Sequence, residues 1–468
     1  MKQKIEPINK ESKKGLFNSH DLTEGSILKA LLFTSIPIII ANLLQVSFQL
    51  VDRYWVGQLG TEAVAAITIS FPLMFVISSL IMGVSMAATI LVGQYKGQKN
   101  QKMIDFISTQ AMSLMAILAI TLGTIGYLFS EFLLSFFTSD TIILAQATSY
   151  LQITFLGLIF IFLYFEYQAI LRGVGNVIIP MLIIIGASIL NFFVDPAFIM
   201  GYSLNGVVLI PAMGVSGAAY ATILSQGLAG ILGIIILIRG KSGVHLNYKF
   251  IIPQIETVKR IITLGLPSSI EFLSRSLGAL LITFIVSGFG TLIIVAFGTG
   301  QFIFTLVLLP ALGLSIGAST IVSQCVGAKK IERLHKTLNM SMIISFTILT
   351  IIGIILILFS TQIAQIFLPN SPEAISETAN FINIIAIAFG ALGVQTIIIG
   401  AIRGTGSTRT AMMLSLLYLV TTIILTWILP IFLGHLGIWW AQSASIIISL
   451  IIAFYVLKKF DWNKERAI

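Results

Sequence analysis

The chain has 468 residues, of which 57% are hydrophobic and 10% are charged, and its formal net charge is +9. Soluble domains carry about 25% charged residues, so most of this chain must face lipid or other buried segments. Long apolar runs without alternation of polar and apolar residues predict membrane-spanning helices and exclude barrel strands. The single cysteine, Cys325, excludes an internal disulfide.

Polar and glycine-containing breaks divide the chain into twelve apolar segments, each long enough to cross a membrane as a helix. The sequence therefore predicts an all-α integral membrane protein with twelve transmembrane helices. In chain order the predicted spans are 30–55, 62–93, 104–129, 141–170, 178–201, 213–238, 258–287, 292–324, 337–359, 376–401, 411–433 and 437–457.

Lysine and arginine fall almost entirely in alternate loops, and the opposite loops contain none. Because basic loops stay on the cytoplasmic side, both termini are predicted to be cytoplasmic in a cell-membrane protein with an even number of spans. The positive charge is thus a signal of topology, with anionic lipid headgroups as its neighbours, and gives no support for nucleic-acid binding. The basic positions are 1–29, 96–102, Arg172, 239–260, 329–336, 403–409 and 458–466.

The two halves of the chain repeat one another at a nearly constant offset in the numbering, so that Pro37 matches Pro267 and Arg172 matches Arg403. Six spans in each half give both halves the same orientation, which predicts two six-helix lobes related by a parallel pseudo-twofold repeat, with a binding site between them. The other matches are Gly60 with Gly290, Gly83 with Gly313, Gln94 with Gln324, Gly97 with Gly327, and Arg172-Gly173-x-Gly175 with Arg403-Gly404-x-Gly406.

Pairing Gly214 with Gly437 shortens the offset by eight and predicts an extra eight-residue loop at Leu204–Pro211. The Arg-Gly-x-Gly segments are interpreted as cytoplasmic turns whose arginines anchor helix ends. The predicted divisions are a cytoplasmic N-terminal segment (1–29), an N-lobe (30–240), a cytoplasmic linker (241–257), a C-lobe (258–459) and a cytoplasmic tail (460–468).

Four acidic residues lie at least three residues inside the ends of predicted spans, and the repeat reproduces none of them: Asp52, Glu166, Asp195 and Glu271. Ionisable groups inside a membrane are costly and point to function. A polar face on the first span, formed by Asn42, Gln45, Gln49 and Asp52, predicts a polar cavity. The alternative is that Asp52 lies at the outer membrane interface, paired with Arg53.

Asp195 follows Asn191 by four residues, so both share one face of the fifth span. Pro196 lacks an N–H, which leaves the carbonyl of Phe192 without its helical partner. A carboxylate, an amide oxygen and a free carbonyl within one turn could hold Na⁺ or a proton. The alternative is a buried, hydrogen-bonded aspartate that serves packing alone.

Two further acids have neighbouring arginines. Glu271 and Arg275 are i,i+4 partners, and this ion pair could be structural or could take part in coupling. Glu166 lies within two turns of Arg172 and is interpreted as an interfacial group that could take part in gating. No nucleophile elbow and no metal-ligand spacing occur in the sequence, so a transporter is predicted, not an enzyme.

These patterns resemble the multidrug and toxic compound extrusion (MATE) family over nearly the whole chain. The resemblance implies an antiporter that exports organic cations in exchange for H⁺ or Na⁺ and needs no other cofactor. The motifs are Ile36-Pro37…Asn42…Asp52…Val56-Gly57…Leu59-Gly60, Asn191-x-x-x-Asp195-Pro196, the paired Arg-Gly-x-Gly turns, and Gly83…Gly93…Gly97.

The same resemblance assigns roles to residues of the N-lobe. Asp52, Asn191 and Asp195 match the family's N-lobe cation site, where Na⁺ could bind, and Thr222 matches a sixth-span threonine at that site. Pro37 matches a first-span proline linked to helix bending.

In the C-lobe, Glu271 falls near an acid used by the Na⁺-coupled branch of the family. The tenth-span acid of that branch is missing, since the predicted span 376–401 has Glu377 at its outer end and Asn383 and Gln395 deeper. This departure favours coupling through the N-lobe.

The expected substrates are amphiphilic small molecules, and the scarcity of cationic residues within spans suggests that they are organic cations. The chain is expected to act as a monomer in contact with lipid. A lipid-linked oligosaccharide flippase of the same superfamily is the alternative. Its pyrophosphate headgroup should need several cavity-facing lysines or arginines, and only Arg275 lies deep in a predicted span.

Overall fold

The computed structural model of the protein describes residues 21–205, 207–240 and 242–462. Within these ranges it contains fifteen α-helices, a two-stranded antiparallel hairpin and one turn of 3-10 helix at Tyr248–Phe250. The helices are α1 (Ile27–Gly57), α2 (Thr61–Gly97), α3 (Gln101–Ser135), α4 (Thr141–Leu156), α5 (Leu158–Gly173), α6 (Ile178–Ile199), α7 (Val215–Arg239), α8 (Ile255–Ser287), α9 (Thr291–Gly327), α10 (Ile331–Leu358), α11 (Ser360–Phe367), α12 (Pro372–Ala386), α13 (Phe389–Thr405), α14 (Thr408–Leu433) and α15 (Leu436–Lys459).

Ten of the described helices are long and apolar enough to cross a membrane, and two bent pairs bring the number of spans to twelve. The pairs are α4 with α5, which meet at 51°, and α12 with α13, which meet at 54°. The fold class predicted from the sequence is therefore confirmed. The fourth and tenth spans are broken where the sequence predicted continuous helices. The breaks fall at Gly157 and Ala388, which are equivalent positions of the repeat, so the bend belongs to the repeated unit.

Backbone geometry reproduces the internal repeat. Gly60 and Gly290, which precede α2 and α9, have φ of 112° and 93°. Lys99 and Lys329, in the tight turns after those helices, both have φ of 58°, a value that few non-glycine residues adopt. Both pairs are separated by the same offset as Pro37 and Pro267, so the repeat seen in the sequence also exists in the conformation of the turns.

The extra segment of the first half forms a hairpin of β1 (Tyr202–Leu204) and β2 (Val207–Ile210). The pairing of Gly214 with Gly437 is wrong. Gly217 lies against the backbone of Phe198, as Gly437 lies against that of Leu429, so Gly217 is the true counterpart of Gly437. The insertion is therefore eleven residues and not eight, because the hairpin also needs connections to α6 and α7.

The lobes meet through α1 and α2 on one side and α8 and α9 on the other. We call the end of the bundle that carries Lys99 and Lys329 the basic end. There a Cβ on Gly97 would lie 2.0 Å from the carbonyl oxygen of Gln324, and one on Gly327 would lie 1.9 Å from that of Gln94. Only glycine allows backbones to approach this closely, so the lobes are closed at the basic end.

Two buried glutamines join the lobes at the same level. Gln94 Nε2 donates to the carbonyl oxygen of Thr405 at 2.7 Å, and Gln324 Nε2 donates to that of Gly173 at 2.9 Å. Each glutamine thus reaches the Arg-Gly-x-Gly turn of the other lobe. We call these two hydrogen bonds the glutamine latch. Because both side chains are fully buried, breaking the latch would leave polar groups unsatisfied.

The segment before α1 packs onto the C-lobe. The backbone N–H of Leu22 donates to Gln324 Oε1 at 3.3 Å, and Arg333 donates to the carbonyl oxygens of Leu22, Glu24 and Gly25 at 2.8–3.0 Å. A cytoplasmic segment is predicted over residues 1–29, and residues 1–20 of it lie outside the described residues. The predicted tail, 460–468, lies outside them from residue 463.

Candidate functional site

Three N-lobe helices bring the predicted cation-site residues together. Thr222 Oγ1 of α7 donates to Asp52 Oδ2 of α1 at 3.4 Å, and within α6 Asn191 Nδ2 donates to Asp195 Oδ1 at 3.1 Å. Asn191 and Asp195 are fully buried, and Asp52 is half-buried. Helix α6 packs against both α1 and α7, which explains how residues far apart in the chain come to share one site.

Three oxygen atoms of this site are buried without a hydrogen-bond partner among the described residues: Asp52 Oδ1, Asp195 Oδ2 and Asn191 Oδ1. The carboxyl groups of Asp52 and Asp195 are close enough to interact directly. Two carboxylates in one buried site cannot both stay ionised without a counter-charge, so one must hold a proton or both must share a cation. Oxygen donors of this kind suit either H⁺ or a hard cation such as Na⁺.

The alternative arrangement for Asp52, a pair with Arg53 at the membrane interface, does not form. The Arg53 guanidinium lies over the ring of Phe71, 5.1 Å from its centre. Asp52 instead turns toward α6 and α7, where its partners are polar and uncharged or acidic.

Tyr150 is a residue of this site that sequence reasoning missed. It lies on α4, near enough for both Asp52 and Asp195 to act on it electrostatically. Nothing in its local sequence marks it, because α4 is an apolar helix and the neighbouring acids come from other helices. Only the packing of α4 against α7 places it there.

A second site is a cavity of about 280 Å³ between the lobes, which we call the central cavity. Of the residues predicted to form a polar cavity, Asn42, Gln45 and Arg275 line it, as does Pro37. Gln49 does not line it and is exposed.

Three arginines line the central cavity: Arg172, Arg275 and Arg403. The turns predicted at the Arg-Gly-x-Gly segments form, with Gly175 and Gly406 at positive φ, but Arg172 and Arg403 do not lie in them. Both arginines belong to the last turn of a broken span. Cationic residues are therefore not scarce at the membrane-embedded cavity, and that expectation from the sequence is wrong.

Glu271 accepts hydrogen bonds from two of these arginines. Its Oε1 lies 3.0 Å from Arg275 and 2.8 Å from Arg403. The predicted pair with Arg275 is confirmed, while the bond to Arg403, from a distant span, could not be read from local spacing. Glu271 is fully buried and Arg403 is 6% exposed, whereas the Arg275 side chain is 35% exposed, so the cluster has a buried ion pair and one arginine that remains accessible.

Glu166 lies in the core of the N-lobe, and its predicted position at the membrane interface is wrong. It is fully buried, and its Oε2 accepts a hydrogen bond from Ser85 at 2.9 Å. The reason is the position of α5, which packs against both α2 and α7 and so turns this residue inward.

The C-lobe contains a further cavity of about 310 Å³, which extends from Arg275 to α15. Gln301, Gln395 and Gln442 line it together with several hydroxyl groups, and no carboxylate is among its lining residues. Gln395 Nε2 donates to Ser449 Oγ at 2.8 Å. A cavity with an arginine and no acid is a poor cation site. Nowhere in the described part of the chain do three His, Cys, Asp or Glu residues cluster as metal ligands.

Known proteins are similar to this chain in both sequence and fold. The model of the MatE family matches residues 37–197 and again residues 267–428, and these two matches begin at Pro37 and Pro267, the first pair of the internal repeat. A solved structure described as the outward-facing conformation of a multidrug resistance MATE family transporter superposes with a TM-score of 0.87 at 23% identity, covering 96% of this chain and 98% of the other.

Two curated relatives are similar along almost their whole length. The probable multidrug resistance protein YpnP of Bacillus subtilis is 28% identical over 96% of this chain and 98% of its own. The probable multidrug resistance protein NorM of Thermotoga maritima is 27% identical over 94% of each. Because the family model matches well over half of the residues, in both lobes, the chain belongs to the MatE family of multidrug efflux transporters.

Proposed function

We propose that the chain is a secondary-active antiporter of the cell membrane that exports amphiphilic small molecules in exchange for H⁺ or Na⁺. The observation that carries this proposal is the pair of interacting carboxyl groups, Asp52 and Asp195, each of which has one buried oxygen without a partner among the described residues. The paired acids would bind the coupling ion when the site is open to the side of higher ion concentration. They would release it to the other side.

Exchange requires that ion and substrate favour different conformations of the lobes. Asp52 and Pro37 both lie on α1, and α1 also contacts α9 of the opposite lobe. A change in the charge of the acid pair can therefore alter the packing of the helix that lines the central cavity. We place the basic end in the cytoplasm, in keeping with the distribution of lysine and arginine.

The prediction that substrates are organic cations remains a prediction, and it has lost the observation that supported it, since three arginines line the central cavity. The same three arginines also remove the argument against a flippase, which was that too few lysines or arginines would face the cavity. Membership of the MatE family, with relatives named as multidrug resistance proteins, is what favours drug efflux.

The test uses the purified chain in proteoliposomes, with H⁺ and Na⁺ gradients imposed separately and uptake or release of fluorescent amphiphiles followed over time. We expect one of the two gradients to drive transport, and we expect Asp52→Asn and Asp195→Asn to abolish it. Glu62→Gln, at an exposed acid in the first turn of α2, is the matched control. Full gradient-driven transport by both aspartate variants would refute the proposal.

A further inference from the structure

The central cavity has the charge of a site for an anionic group. Arg172, Arg275 and Arg403 line it, and the carboxylates that interact with these arginines are Glu271 and Glu166. Glu271 is already bound to two of the arginines, and Glu166 lies behind the wall, hydrogen-bonded to Ser85. With both acids ionised, the cavity still has one guanidinium in excess.

Arg172 is the arginine that is left over. It is half-buried, interacts with Glu166 only through space, and makes neither a salt bridge nor a hydrogen bond within the described ranges. A guanidinium presents five N–H donors, and leaving them unused at a membrane-embedded cavity is costly. In Arg403, which is 6% exposed, Nε also has no partner among the described residues. The Arg172 guanidinium is therefore available to an oxyanion, whereas Arg403 Nε is buried.

The repeat places these two arginines in equivalent positions, one from each lobe, at the ends of the two broken spans. Arg275 is the counterpart of Gln45, and both of these residues line the same cavity. An anion between the lobes would thus meet donors from both sides. The rest of the wall combines amide and hydroxyl side chains with adaptable apolar ones such as Met82, Met86 and Phe165, and the apolar part suits the body of an amphiphile.

We propose that the central cavity binds amphiphiles that carry an oxyanion, a carboxylate or a phosphate, through Arg172 with support from Arg275. This proposal rests on the proposed export function and narrows its substrate class. An oxyanion matches the planar donor geometry of a guanidinium and forms charge-assisted hydrogen bonds with it. The cavity of about 280 Å³ lies just below the lower end of the range of small-molecule sites, about 300 Å³.

The test is equilibrium binding to the full chain in detergent, with no ion gradient, so that a failure of coupling cannot imitate a failure of binding. Four probes share one dansyl-alkyl body and differ only at the head: a carboxylate, its methyl ester, a phosphate monoester and a quaternary ammonium. We expect at least one of the two oxyanion probes to bind about tenfold or more tightly than the ester and the ammonium. The tighter of the two shows which oxyanion is preferred.

Arg172→Gln should weaken oxyanion binding by about tenfold to a hundredfold and leave the ester unchanged, and Arg172→Lys should restore part of it. Arg409→Gln, at an exposed arginine of α14 outside the cavity, is the matched control. Arg275→Gln provides a second variant if Arg172→Gln does not fold, as judged by size-exclusion chromatography. Equal binding of ester and acids, or unchanged oxyanion binding in both arginine variants, would overturn the proposal.

Discussion

The two lobes share one fold, yet positions that are acidic in the N-lobe are neutral in the C-lobe. Where the N-lobe has Asp52 and Asp195, the repeat places Ile282 and Thr426 in the C-lobe. The Thr426 hydroxyl donates to the carbonyl oxygen of Thr422 in its own helix at 2.7 Å. The C-lobe position is therefore neutral and satisfied, while the N-lobe position retains oxygens that need a proton or a cation.

Charge in the C-lobe lies elsewhere and is already paired. Glu271 holds Arg275 and Arg403, whereas the N-lobe counterpart of Glu271 is Ala41, so that Arg172 has no matching buried acid at this position. The comparison teaches that the repeat extends to the helices and the turns but not to the ionisable groups, which differ between the lobes. A symmetric scaffold can in this way carry a pair of unpaired acids in one lobe only.

The largest expected effect is on transport, when an acid of the N-lobe is replaced by the residue at the equivalent position of the C-lobe. Asp195→Thr should reduce gradient-driven exchange to the level of empty liposomes, because the remaining Asp52 would no longer share a proton or cation with a second carboxylate. Transport in proteoliposomes measures this. Thr426→Val in the C-lobe should leave exchange near the parent rate. If this variant lost exchange to the same extent, the two lobes would not differ in their contribution to transport.

A second large effect is expected on stability. Glu271→Gln should lower the free energy of unfolding by about 3–5 kcal/mol, because it leaves the buried Arg403 without its counter-charge. Thermal unfolding in detergent measures the change, and Glu332→Gln, whose partner Lys336 is exposed, should change it by about 0.5 kcal/mol or less. Undiminished stability combined with lost exchange would instead assign coupling to the C-lobe.

The distance between the lobes at the basic end should respond equally to a glycine substitution in either lobe. Gly327→Ala and Gly97→Ala should each separate the lobes by roughly 1–2 Å, because the added carbon must retreat from a backbone oxygen to a packing distance of about 3.5 Å. Distances between spin labels at Lys102 and Lys336, in a Cys325→Ser background, measure this. Gly298→Ala, which meets nothing within 4 Å, is the control, and a response from one glycine alone would argue against symmetric closure.

The smallest effect is expected at Thr222. Its hydrogen bond to Asp52 is long, at 3.4 Å, so Thr222→Val should slow exchange by only about two- to tenfold. The initial rate of transport at saturating substrate measures this. Complete loss of exchange would indicate that Thr222 contributes more than a single hydrogen bond to the site.

The helices, the repeat and the acid pair could be predicted from the sequence because each of these leaves a local signal: hydropathy, fixed offsets, and costly charges within apolar runs. What depends on packing between distant helices could not be predicted. Tyr150 joins the acid site through α4, and Arg403 reaches Glu271 from a span far along the chain. The arginines belong to the same class, because Arg172 and Arg403 lie in the last turn of a helix, not in the turn that follows, and helix packing makes them line the central cavity.

The docked segment before α1 has a consequence for how the lobes are released from one another. Gln324 uses both ends of its amide, since Nε2 donates to Gly173 in the glutamine latch and Oε1 accepts from the N–H of Leu22. Any change that pulls residues 21–25 away from α10 would free one end of that amide and loosen the hold of one lobe on the other. Tags or truncations at the amino terminus would then alter how often the basic end opens.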